Sequence, residues 1–152
     1  MHTVPEALID ARKIADSLEV LQRAFRQVRP LILERAGKAG AYTDKHDGSP
    51  VTDTDIEVEM TLKAAMARHV PGMPVFGEET GYDVLPDVCW LVDPIDGTKS
   101  FIENVPTFTS MAVLIAGGEA IASVIYNIST DDMYVAQKGK GAYKNGARLD
   151  LR

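Results

Sequence analysis

Phe108-Thr109-Ser110-Met111-Ala112-Val113-Leu114-Ile115-Ala116-Gly117-Gly118-Glu119-Ala120-Ile121-Ala122-Ser123-Val124-Ile125-Tyr126-Asn127 decides the fold class. Two runs rich in β-branched and aliphatic residues flank a Gly-Gly pair, the pattern of two strands closed by a two-residue hairpin. Working downstream, Asp131-Asp132 makes a turn and Met133 to Gln137 a further strand. Lys144-Asn145-Gly146-Ala147 then closes a last hairpin between Ala142-Tyr143 and Arg148-Leu149. The glycines around Lys138 to Gly141 read better as hairpin turns than as a phosphate loop. Asp131-Asp132 reads as a turn pair, because nothing nearby supplies further metal ligands.

Working upstream, the period changes from two to 3.6. Thr3-Val4-Pro5-Glu6 has the form of a capping box. Leu8, Ala11, Ala15, Leu18, Leu21, Phe25, Val28 and Ile32 follow at spacings of three or four, one apolar stripe on a long helix. Pro30 predicts a kink or an end near Arg29, with a further turn to Glu34. A second helix is expected from Thr52, whose hydroxyl can cap the Asp55 amide, to about His69. Its apolar side is read as Ile56, Met60, Ala64, Ala67 and Val70, and Val70-Pro71-Gly72 ends it. Helices first and antiparallel strands after predict a single α+β domain over 1–152, not a doubly wound one.

Composition limits the function classes. The chain of 152 residues is long enough for one real core, burying about 70% of the surface its unfolded form exposes. A formal net charge of −6 argues against non-specific nucleic-acid binding. No apolar run approaches the ~20 residues of a membrane helix, and charges throughout residues 1–30 argue against a signal peptide or anchor. The single cysteine, Cys89, forbids an internal disulfide, suits a reducing cytoplasm and reads as core filling.

Chemistry concentrates in Trp90-Leu91-Val92-Asp93-Pro94-Ile95-Asp96-Gly97-Thr98-Lys99-Ser100-Phe101. An apolar run from Val88 to Val92 reads as a buried strand and stops at an acid. Asp93 and Asp96 stand three residues apart around a proline, and Gly97-Thr98 can open a short helix running to Glu103. Such a turn offers hard oxygen ligands for a divalent cation beside amide donors for an anion. The alternative is an acidic turn in which aspartates hydrogen-bond their own backbone. Pro74-Val75-Phe76-Gly77 is a short strand leading into Glu78-Glu79. Because neighbouring strand side chains point to opposite faces, one glutamate should reach the site and the other solvent or a supporting position. Asp55 has a structural reading of its own, as an acid in the first turn of the second helix. Lys45 lies in a polar, turn-rich loop spanning 41–50, and His46 beside it has no ligand partner at useful spacing.

These elements together resemble the inositol monophosphatase family of metal-dependent, lithium-sensitive phosphatases. Asp93-Pro94-Ile95-Asp96-Gly97-Thr98 matches its signature, and Phe76-Gly77-Glu78-Glu79-Thr80 its Gly-Glu-Glu element. Lys45 with Ser49-Pro50-Val51-Thr52-Asp53-Thr54-Asp55 matches its first acidic element, in the same order. The resemblance implies two helices packed on a large antiparallel sheet. It also implies Mg²⁺, with Mn²⁺ as a substitute. Glu78, Asp93 and the Ile95 carbonyl would hold one ion, with Asp93 and Asp96 sharing a second. Thr98, polarised by Asp55, would orient the attacking water with Glu78, and the Gly97 and Thr98 amides would cradle phosphate. Lys45 would stand over the metals, which leaves it read equally as a loop charge or a supporting residue, and Glu79 would act behind Glu78. The substrate implied is a small phosphorylated metabolite: inositol monophosphate, a related sugar-alcohol phosphate, or a nucleotide 3′-phosphate. Thr98-Lys99-Ser100-Phe101, with serine where the inositol branch commonly has asparagine, resembles the histidinol-phosphate phosphatase branch instead.

The resemblance further implies a second α/β half carrying a Trp-Asp-x-Ala-Ala-Gly-like element, and nothing in 1–152 corresponds to it. Two expectations follow. Sheet residues such as Met111, Val113 and Ile115, or Ala112 and Leu114 on the other face, should lack cover and favour a homo-oligomer or docking of a missing half. The chain alone should be a poor phosphatase, at least about a hundredfold below a complete relative, or a non-catalytic metal- and anion-binding domain.

Overall fold

The computed structural model describes residues 9–38, 40 and 42–150. Within them lie α1 (Ala11–Arg35), β1 (Thr43–Asp44), β2 (Pro50–Val51), α2 (Asp53–His69), β3 (Val75–Gly77), β4 (Val88–Asp96) and α3 (Thr98–Ile102). The strands β5 (Thr109–Ala116), β6 (Glu119–Asn127), β7 (Asp132–Gln137), β8 (Gly141–Lys144) and β9 (Ala147–Arg148) follow. The expected Thr3–Glu6 cap and Leu8 fall outside the described residues.

Strands β3 to β9 form one seven-stranded sheet in sequence order, while β1 and β2 make a separate small hairpin in the 41–50 loop. Sequential order is what short hairpins produce, and Gly117 and Gly118 carry the positive φ values, 58° and 80°, that a tight β5–β6 turn demands. The sheet is antiparallel except at one edge, where β3 runs parallel to β4. That departs from the all-antiparallel expectation. The segment from Glu78 to Asp87 carries the chain back across the sheet end, so β4 restarts in the direction of β3.

The core lies between the sheet and the two long helices. Phe25 of α1 stacks on Tyr126 of β6, ring centroids 6.4 Å apart, and Phe101 meets Phe108 edge-on at 5.6 Å. Trp90, Leu114, Val124 and Met133 are buried on the same side, while Cys89, also buried, lies opposite the outward-facing Ile115 on the other face. α1 buries Leu18, Leu21, Phe25, Val28 and Ile32 as the spacing implies. Toward its start, however, Ile14 and Ser17 turn inward, leaving Ala11 and Ala15 exposed. Pro30 does not end this helix, which runs on to Arg35. An internal proline costs about 3 kcal/mol, and burying Ile32 one turn further on returns a comparable ~2 kcal/mol. Arg29 adds a hydrogen bond from Nε to the Ile128 carbonyl at 2.8 Å, tying this turn to the end of β6.

α2 begins as expected, with a Thr52–Asp55 capping box, but buries a different face. Val58, Leu62, Met66 and Val70 point inward, whereas Ile56 and Met60 are 41% and 62% exposed. The helix carries two apolar rows at i, i+4 spacing. The inward row is the one that also brings Asp55 and Glu59 to buried partners.

Helices cover one face of the sheet. On β5, Ser110, Ala112, Leu114 and Ala116 alternate into the core, and Met111, Val113 and Ile115 point away from it. Met111 and Val113, with Phe76, Leu91 and Ile125, line a groove of about 540 Å³ that reaches Glu78 and Asp93 at one end. Among the described residues, no helix is long and apolar enough to cross a membrane.

Candidate active site

Three chain segments meet at one end of the sheet: the start of α2, the turn after β3, and the β4–α3 junction. At the junction, strand β4 continues past Asp93 to Asp96, with a register shift against β5 between those two residues. The irregularity is a bulge around Pro94-Ile95, which re-aims the strand end as bulges beside active sites do. The Ser110 hydroxyl donates to the Pro94 carbonyl at 2.6 Å, and the Thr98 hydroxyl lies 3.0 Å from the Ile95 carbonyl. Gly97 then takes φ +86°, and a Cβ there would sit 3.1 Å from the Thr107 carbonyl, so glycine is required on both counts. α3 opens at Thr98 with no side-chain cap.

The Thr98 hydroxyl is also 3.0 Å from Asp55 Oδ1. One hydroxyl proton cannot serve both the carboxylate and the Ile95 carbonyl, and the charged acceptor is the stronger. Asp55 is wholly buried, and its Oδ2 accepts from the Thr52 amide at 2.9 Å and from the Thr52 hydroxyl. The two readings of Asp55 are therefore one arrangement: the carboxylate caps α2 with one oxygen and holds Thr98 with the other.

Glu78 and Glu79 depart from expectation. Both reach the same lysine: Lys45 Nζ lies 2.9 Å from Glu78 Oε1 and 2.8 Å from Glu79 Oε2. Strand alternation does not separate them because β3 ends at Gly77 and the glutamates stand in the following turn. They differ in burial instead, the Glu78 side chain being 50% exposed and that of Glu79 3%. Lys45, held by the β1–β2 hairpin, is thus part of the site and not a loop charge. His46 is exposed, as expected. Burial disfavours the Lys45 ammonium, yet the Glu79 and Glu78 carboxylates outweigh it and hold its pKa above the ordinary lysine value.

Asp93 is the most perturbed acid. Burial, the charge and hydrogen bond of Glu78, and the charges of Asp96 and Glu79 push it up to about 8. One of its oxygens, Oδ1, is buried without a hydrogen-bond partner. Glu78 is raised by burial, but hydrogen bonds from Lys45 and Asp93 hold it below its usual value. Asp96 is exposed at the mouth, close enough to bear on Asp93. Four carboxylates thus lie close together while Lys45 pairs with two of them, and the orphaned Asp93 oxygen is left among like charges. A divalent cation fits that donor set, which is all hard oxygen. Among the described residues no three acids already converge as a finished cage. Mg²⁺ does not need one, since it keeps several waters and takes few protein ligands.

A stability prediction arises from Asp93. Its folded pKa lies above the ordinary value, so the folded state binds more protons, and stability falls as pH rises through about 8. Glu78, held below its usual value, contributes with the opposite sign, but that contribution falls mainly below this pH range. The cation-free protein should therefore melt at a higher temperature at pH 5 than at pH 8, and Mn²⁺ should raise the pH 8 value most. Equal melting temperatures without metal would contradict the arrangement.

Sequence reasoning missed Glu59 and Ser110. Glu59 is signalled by its i, i+4 spacing from Asp55, and Ser110 by its inward register on β5. Asp131 is a turn residue as expected, with φ +60° and accepting from the Tyr126 hydroxyl, whereas Asp132 opens β7 and is tied to Thr130, Lys144 and Asn145.

A family model described as the inositol monophosphatase family matches residues 6–152. The chain belongs to the inositol monophosphatase family. An IMPase of Thermotoga maritima superposes with a TM-score of 0.82 at 26% identity, covering 90% of this chain and 54% of that one. This inositol monophosphatase-family chain is 37% identical over 145 residues to an inositol-1-monophosphatase of Caulobacter vibrioides, covering 93% of this chain and 52% of the relative. It is 35% identical over 136 residues to a histidinol-phosphatase of Chlorobaculum parvum, at 80% and 52% coverage. The chain spans about half the length of the curated relatives it matches. The family is one of phosphatases acting on small phosphorylated substrates.

Proposed function

We propose that the chain carries the acid-rich half of a Mg²⁺-dependent phosphomonoesterase acting on a small phosphorylated metabolite. The observation that carries this reading is the buried, unpartnered Asp93 oxygen among Glu78, Asp96 and Glu79, beside a hydroxyl held by a buried carboxylate. Glu78, Asp93 and the Ile95 carbonyl would hold one cation, and Asp93 with Asp96 would share a second. Bound there, divalent cations would offset phosphoryl charge, lower the pKa of water and stabilise the departing alkoxide.

The residues supply the rest. With its proton directed to Asp55, the Thr98 hydroxyl presents lone pairs that accept a hydrogen bond from the incoming water and orient it. Glu78, half exposed and below its usual pKa, is an ionised acceptor for the same water. The Gly97 and Thr98 amides, at the start of α3, would donate to a phosphate oxygen. Lys45 keeps the glutamates from repelling one another before the cation enters. Relatives of nearly equal identity bear inositol and histidinol names, so both substrates belong in the assay. Phosphate release from inositol 1-phosphate or histidinol phosphate, stimulated by Mg²⁺ and abolished by chelation, is the expected result. Cation binding without turnover would favour a second reading, a non-catalytic metal- and anion-binding domain.

The apolar outward face of the sheet supports a partner reading as well. Ile125 is 40% exposed there, beside Met111 and Val113. The chain is expected to self-associate or to dock a second half on this face. Light scattering that gives a clean monomer would count against it.

A further inference from the structure

Glu59 has no role in the chemistry above, yet it is wholly buried and its carboxylate is fully engaged. Its Oε2 accepts from the Glu79 amide at 2.7 Å. Its Oε1 accepts from the Thr80 amide at 3.2 Å and the Thr80 hydroxyl at 2.6 Å. Lys63, one turn further along α2, lies 4.0 Å from Oε1 and donates to the Thr80 hydroxyl at 3.0 Å.

The turn after β3 shows why this matters. The Glu78 amide still bonds the Val92 carbonyl at 3.0 Å, as a sheet residue would, and the Gly81 amide closes onto the Gly77 carbonyl at 3.0 Å. The two amides between them, at Glu79 and Thr80, have left the sheet, and Glu59 takes both. Every amide from 78 to 81 is thereby satisfied, and the backbone that projects Glu78 and Glu79 is defined by one side chain on another element. Gly77 is cut to fit: a Cβ there would overlap the Glu59 carboxyl carbon. Asp55, one turn earlier on the same face of α2, holds Thr98 in the same manner. A single helix therefore sets the spacing between the two loops that bring the acids together.

We propose that Glu59 is a positioning residue for cation binding, acting through the Glu79 and Thr80 amides to place the Glu78 carboxylate against Asp93. The inference rests on the divalent-cation reading of the site. Outer partners of this kind typically affect metal affinity ~10–100-fold, whereas a residue serving stability alone lowers the melting temperature and leaves the folded protein's affinity intact.

The test is Mn²⁺ titration calorimetry on the full 152-residue chain, with each variant verified as folded by circular dichroism at the titration temperature. Glu59→Gln, which keeps volume but turns one acceptor into a donor, should weaken Mn²⁺ binding by about tenfold or more. Thr80→Val, which removes the hydroxyl that donates to Glu59 Oε1 and leaves the backbone amides in place, should weaken it by about threefold. Folded Glu59→Gln with Mn²⁺ affinity within twofold of wild type overturns the proposal, whatever its melting temperature. If Glu59→Gln does not fold, Thr80→Val decides, and an unchanged affinity overturns it. Asp93→Asn is the control: if it abolishes binding while Glu59→Gln does not, the cation reading stands and the role of Glu59 fails. Absence of Mn²⁺ binding by the wild-type chain overturns both.

Discussion

Asp93→Asn should lower Mn²⁺ or Mg²⁺ affinity by tenfold or more and, in the absence of metal, raise the melting temperature at pH 8. The two effects have one cause. Asp93 is a buried carboxyl whose Oδ1 has no partner and whose charge is opposed by Glu78, Asp96 and Glu79. An amide of the same shape removes that repulsion, so the cation-free protein gains stability where the wild type is ionised. It also removes the charge that two cations would share, and a tenfold loss of affinity corresponds to about 1.4 kcal/mol, modest for a carboxylate ligand. Stability bought at the expense of binding is the pattern of a site whose strain serves function. Calorimetry showing unchanged Mn²⁺ binding would remove Asp93 from the cation site. Asp131→Asn and Asp132→Asn should leave binding untouched, since those acids are engaged with Tyr126, Thr130, Lys144 and Asn145.

Thr98→Ala should reduce turnover by ~10²–10⁴-fold while sparing Mn²⁺ affinity, the range that a positioned proton-transfer group contributes. The alanine deletes the hydroxyl that lies between Asp55 Oδ1 and the Ile95 carbonyl, 3.0 Å from each. α2 should keep its cap, because Asp55 Oδ2 still receives the Thr52 amide. Thr98→Ser restores the hydroxyl and should recover most of the rate. A rate near wild type in Thr98→Ala would reduce the hydroxyl to a local brace at the start of α3. Asp55→Asn is a less clean probe, since it also weakens the helix cap, a change worth ~1 kcal/mol on its own.

Much of this was legible in the chain itself, and the reason is locality. The Gly117-Gly118 hairpin, the Thr52 cap and the glycine before α3 are set by neighbours within a few residues. Rotational freedom, missing N–H groups and side-chain caps act over such distances whatever the rest of the fold does. The α+β class follows from the same source, since the change of period from helix to strand lies in the chain order. Asp93, Asp96, Thr98 and Glu78 were nameable because their motifs are contiguous and specific.

Tertiary structure decided what depends on partners distant in sequence. Periodicity offers two apolar rows on α2, and only packing against α1 and β4, with Asp55 and Glu59 meeting buried donors, selects Val58-Leu62-Met66 over Ile56-Met60. Alternation predicted that Glu78 and Glu79 would part, but where β3 ends is set by its parallel pairing with β4, and beyond that end the rule no longer applies. Lys45 and Glu79 are 34 positions apart, and Glu59 and Thr80 are 21. No local pattern announces such pairs. They form because a buried charge or an amide leaving a sheet must find a partner, and the fold determines which one lies within reach.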